Sequence, residues 1–122
     1  MSDVTASHLD DLPSVEFAGA KTYLARRGLG VSSFGMQVWR FPENYTEYPQ
    51  HDQSDDPQEE VYLCLSGEAN LTAGDQEHAL TPGVFVRVAP GVSRNITTGA
   101  HGADVLALGA TPGQPYVAPE WT

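Results

Sequence analysis

The chain has 122 residues, a formal net charge of −10 and 40% hydrophobic residues, enough to bury one core and too few for two ordinary domains. No Lys or Arg occurs between Phe41 and Arg87, where Glu43, Glu47, Asp52, Asp55, Asp56, Glu59, Glu60, Glu68, Asp75 and Glu77 all lie, so a phosphate backbone is repelled and nucleic acid is excluded as a partner. No apolar run approaches the length of a membrane span, the N-terminus lacks a basic and apolar leader, and the single cysteine, Cys64, permits no internal disulfide, which together predict a cytoplasmic protein with no membrane partner.

In chain order, residues 1–21 read as an N-terminal segment, 22–110 as a barrel and 111–122 as an irregular tail. Short alternating or apolar runs predict strands at TYLARR (22–27), FGMQVWRF (34–41), EVYLCLS (60–66), EANLTA (68–73), EHAL (77–80), VFVRV (84–88), SRNITT (93–98) and ADVLALG (103–109). Gly and Pro breakers separate them, and AGDQ at 73–76 is the strongest hairpin turn because Gly74 and Asp75 tolerate positive φ. VEFAGAKTYLARRG also carries good helix formers, so a turn or two of helix is expected there. Pro112, Pro115 and Pro119 keep the tail out of a central strand, while Tyr116, Val117 and Trp121 predict that it lies across the barrel.

Strands so spaced predict an all-β sandwich or jelly roll of two facing antiparallel sheets. The blocks EEVYLCLSGEANL and AGDQEHALTPGVFVRVAPGVSRN narrow the reading, for they resemble the two motifs of the cupin superfamily. Glu60 is followed by six residues and Gly67, and Gly83 by five residues, Ala89-Pro90-Gly91, two residues and Arg94. The resemblance covers residues 34–110 and implies a small single-domain cupin of bacterial type. It departs from the family pattern at the metal ligands: His51 matches the first histidine, Gln53 stands at the second, six residues separate Gln53 from Glu60, Arg94 replaces the second-motif histidine and Thr98 its asparagine. Type I phosphomannose isomerases, also cupins, are similar in using a glutamine at their zinc.

The chemistry of these residue types supports two readings. Positions 51 and 53 share one face of an extended strand, about 7 Å apart. Glu60, Tyr62 and Cys64 share a face, and Val61, Leu63 and Leu65 share the other, where the apolar trio is expected to pack between the sheets. Arg94 has no lone pair for a metal, and beside Glu60 it makes a charge-assisted pair. The leading expectation is a binding or sensing barrel with a degenerate metal site and no cofactor, in which Arg94, Glu60, Tyr62 and His51 meet a small anionic or polar molecule. The alternative is a metal-dependent oxygenase or isomerase holding zinc, iron or nickel on His51, Gln53 and Glu60. Exposed jelly-roll edges predict a homodimer.

Overall fold

A computed structural model describes residues 3–49, 57–119 and 122. After a 3-10 turn at Leu9–Asp11 come β1 (Ser14–Phe17), β2 (Ala20–Tyr23), helix α1 (Ala25–Leu29), β3 (Gly35–Phe41), β4 (Glu59–Gly67), β5 (Ala69–Ala73), β6 (Gln76–Leu80), β7 (Phe85–Val88), β8 (Arg94–Thr97) and β9 (Ala103–Ala110). They form two antiparallel sheets, one of six strands in the order β1-β2-β3-β9-β4-β7 and one of three in the order β6-β5-β8. The pairings β3–β9, β9–β4, β4–β7 and β5–β8 join strands distant in sequence, as a jelly roll requires.

The core is built by period-two alternation. Trp39 and Phe41 of β3, Tyr62 and Cys64 of β4, and Val105 and Ala107 of β9 point inward and meet Leu71, Leu80 and Ile96 of the small sheet. The outer face of the small sheet is polar, with Asn70, Thr72, Asn95 and Thr97 in adjacent register positions. The AGDQ turn forms between β5 and β6; Gly74 takes the left-handed conformation at φ 61, and Asp75 is not needed there.

Three local expectations change. The run 22–27 is not one strand: β2 ends at Tyr23, and Ala25–Leu29 turns into a helix closed by Gly30 at φ 79. Upstream, residues set aside as an N-terminal segment pair as the β1–β2 hairpin, with Ala18 and Gly19 at positive φ in its turn. Finally, Val61, Leu63 and Leu65 do not pack between the sheets. Tyr62 and Cys64 hold the interior, and the trio faces outward, with Leu65 at an irregularity between Cys64 and Ser66.

Helix α1 lies on the outer face of the β2–β3 half of the large sheet. Tyr23 pairs with Val38 on that face, and these two, with Leu24 and Ala25, are buried apart from the central core cluster. The chain after Ala110 is irregular and returns along the barrel, where Tyr116 and Thr122 reach a cavity at its open end. Among the described residues no helix is long and apolar enough to cross a membrane.

Candidate functional site

The cavity occupies about 330 Å³ between the sheets. β3 sends Gly35, Gln37 and Trp39 to it from alternate positions, and β9 sends Ala107 and Gly109. Gln58 just before β4 and Glu60 within it, two apart, supply polar atoms, and Tyr48 closes one side. Phe17 of the β1–β2 hairpin and Tyr116 of the tail complete the aromatic rim. Trp39 is braced by Phe41, stacked at 5.4 Å between centroids, and by Tyr48 and Phe17 at tilted angles.

At the cavity's base Arg94 Nη1 donates to Glu60 Oε1. Both side chains line the cavity, and with Arg94 only 2% exposed against 22% for Glu60 the carboxylate is the more open of the two. The other guanidinium nitrogens are also engaged: Nε donates to the Val92 carbonyl at 3.1 Å, and Nη2 to the carbonyls of Val92 at 2.8 Å and Ala89 at 3.3 Å. The loop Ala89–Val92 wraps the guanidinium because Arg94 opens β8 immediately after it and its side chain doubles back on its own approach. Such a buried cation is tolerated where its donors are satisfied.

Glu60 carries a second support. The Tyr62 hydroxyl donates to Glu60 Oε1 at 3.2 Å and lies 3.3 Å from the Tyr48 hydroxyl. Burial, the neighbouring phenol and the Glu60 charge all push the Tyr62 hydroxyl well above the ordinary phenol range, and burial raises that of Tyr48 as well. Both are neutral donors at any ordinary pH. Burial opposes the charge of Arg94, but Tyr62 and Glu60 beside it outweigh burial and hold its pKa above the usual arginine value.

The structure thus brings Arg94, Glu60 and Tyr62 together, with Tyr62 fully buried behind Glu60 and absent from the cavity lining. His51 and Gln53 lie outside the described residues. Among the described residues no three of His, Cys, Asp and Glu converge as a metal site would require. Cys64 is buried, and burial raises its thiol pKa, so it is no activated nucleophile. Sequence reasoning missed Gln37, Tyr48 and Gln58, and Trp39 serves both the core and the cavity wall. Period two from Glu60 back to Gln58, and from Trp39 back to Gln37, was the available signal.

Comparison with solved structures places this architecture. A cupin protein from Bacteroides fragilis superposes with a TM-score of 0.72 at 18% identity, covering 98% of this chain and 93% of that one. A cupin 2 conserved barrel domain protein from Salinispora arenicola gives 0.73 at 12% identity, covering 91% and 92%. The chain has the cupin fold. A sugar phosphate isomerase of the cupin superfamily from Silicibacter pomeroyi aligns with this cupin barrel at a TM-score of 0.70 and 19% identity, covering 86% of this chain and 75% of that one. No protein-family model and no curated protein sequence matches the chain.

Proposed function

We propose that this cupin barrel binds a small polar molecule without a resident metal, and that the Arg94–Glu60 pair does the structural work a metal would do at the cavity base. The carrying observation is the buried guanidinium on the Glu60 carboxylate. A cupin metal needs several imidazole nitrogens with a carboxylate. Here the carboxylate is already neutralised by a cation that offers no lone pair and repels a dication. The described donors therefore do not fit a transition ion, and no reaction step is routed through one.

The same geometry redefines the guest. Arg94 directs Nε, Nη1 and Nη2 to Val92, Glu60 and Ala89, so its charge is largely committed before a guest arrives and an incoming anion finds little guanidinium to grip. Gln37, Gln58 and the cavity side of Glu60 instead offer hydrogen bonds, and Trp39, Tyr48 and Phe17 offer apolar walls. An uncharged polar molecule with one apolar face suits this lining. The described cavity lining offers a neutral phenol, Tyr48, and one carboxylate, Glu60, already held by Arg94 and Tyr62, which favours binding over catalysis.

The chain has two tryptophans, so Trp121→Phe leaves Trp39 as the sole indole. Titration of that variant with a panel of uncharged polar molecules and sugar phosphates, with EDTA or with added zinc, tests the reading. Fluorescence changes from an uncharged molecule, equal in EDTA and zinc, are expected. Binding that appears only with zinc, iron or nickel would support the metal-dependent enzyme on His51, Gln53 and Glu60 instead.

A further inference from the structure

The inward faces of β3, β9 and β4 form rows along the cavity wall. Gly35, Gly109 and Glu60 stand opposite one another in one row, and Gln37, Ala107 and Tyr62 in the next. The middle strand, β9, therefore gives the cavity only Gly109 and Ala107, a floor with almost no side chain. Gly35 and Gly109 lie in extended strands and neither takes a positive φ, so they supply space, not conformational freedom. A methyl at Gly109 would stand 3.1 Å from both Gln58 Oε1 and Glu60 Cγ, so these two side chains lean over β9 from one side. On the other side half-buried Gln37 has Ala107 across from it and Gly35 two residues before it, and its carboxamide faces the cavity. Trp39 and Tyr48 close the inner end as an aromatic pair 5.4 Å apart between centroids.

The backbones of β3 and β4 are two strand spacings apart, about 10 Å, and side chains reaching inward from both leave the width of one ring system. Polar groups stand at two opposite edges of this trough, and the floor between them brings no polar side chain. That arrangement suits a ring whose faces are apolar and whose polar atoms lie in its plane. A pyranose or cyclitol carries hydroxyls all round, and those set against Ala107 and Trp39 would lose their partners. Gln37 offers a donor and an acceptor in one plane, the complement of an N–H beside a ring acceptor, and the Glu60 carboxylate accepts from a further N–H. We propose that the guest is an uncharged planar nitrogen heterocycle with an amide- or amidine-type edge, a free nucleobase or its nucleoside, lying flat on Gly109 and Ala107 between Gln37 and Glu60. The inference rests on the metal-free, uncharged-guest reading above. Arg94 is committed within the chain and the chain carries −10, so a phosphate on the same heterocycle works against binding.

Isothermal titration calorimetry on the full chain tests this, with cytosine, adenine, hypoxanthine, adenosine, AMP, myo-inositol and catechol as probes, each in EDTA and in zinc. At least one base should bind about tenfold or more tightly than inositol or catechol, equally in EDTA and zinc, and adenosine should bind more tightly than AMP. Gln37→Leu and Gln37→Ala should each weaken that base by about tenfold or more while keeping the parent circular dichroism. Gly109→Ala, which pushes Gln58 and Glu60 off the floor, should weaken it too. Three results would overturn the heterocycle and leave the uncharged-guest reading standing: inositol or catechol binding as tightly as the best base, no base binding at millimolar concentration, or base binding unchanged in both Gln37 variants. AMP binding more tightly than adenosine, or binding of any probe only with zinc, would overturn that reading as well.

Discussion

Replacing Arg94 with alanine removes the buried cation paired with Glu60 at the cavity base. Three losses follow. Glu60 keeps its charge without a counterion, the Val92 and Ala89 carbonyls lose their donor, and the space of a side chain only 2% exposed is left empty. Breaking a buried pair by deleting one partner costs about 3–5 kcal/mol. Glu60 is 22% exposed and still holds the Tyr62 hydroxyl, so water and that bond soften the penalty toward the lower end. The orphaned carbonyls add about 1 kcal/mol. The expected destabilisation is about 3–4 kcal/mol, or a melting point lower by roughly 10–20 °C for a domain of this size. Urea unfolding followed by tryptophan fluorescence measures it, with the slope checked against the parent. Replacing both partners, Arg94→Met with Glu60→Leu, should recover most of the loss, because an apolar pair of similar volume leaves no stranded charge. An Arg94→Ala protein within about 0.5 kcal/mol of the parent would refute the buried pair.

Two further expectations concern the tyrosines and the tail. Burial, helped by Glu47, pushes Tyr45 up to about 12, and Tyr48 and Tyr62 stand above the ordinary phenol range. Their folded pKa values exceed the unfolded value of about 10, so the stability they contribute is intact below about pH 10 and falls above it by about 1.4 kcal/mol per pH unit per tyrosine. Phenolate absorbance should show these three ionising only as the fold is lost; reversible titration of all five tyrosines in the folded protein near the ordinary value would contradict this. Gly35→Ala places a methyl 2.9 Å from the Tyr116 hydroxyl, so the tail should lift from the cavity and limited proteolysis beyond Thr111 should accelerate. Unchanged cleavage would mean that Tyr116 is not seated there.

Much of the barrel was legible because alternation and turn chemistry agree along β4 to β9. Glu60, Tyr62 and Cys64 could be assigned one face from spacing alone, and Arg94 stood out as a charge at an inward-facing motif position. Which face was inward was harder to read. Val61, Leu63 and Leu65 are the more apolar set, yet they face outward, because Tyr62 and Cys64 fill the interior beside Val105 and Ala107. The β1–β2 hairpin was hidden because Ala18, without a glycine's freedom, takes φ 52 in its turn. Helix α1 falls within the stretch where at most a turn or two of helix was expected, but its start was hidden because it spans only Ala25–Leu29 and follows β2 with little punctuation. The cavity walls come from β3, β4, β9, the hairpin and the tail, and no local pattern in the sequence states that these meet.

The central claim is that a guanidinium holds the place of a metal at Glu60. Elemental analysis of the protein, purified without chelator and without added metal, tests it most directly. Zinc, iron, nickel, copper and manganese should all fall far below stoichiometric amounts, and tight zinc or nickel uptake should be created only by Gln53→His combined with Arg94→His. A parent protein that retains near-stoichiometric transition metal through purification would contradict it.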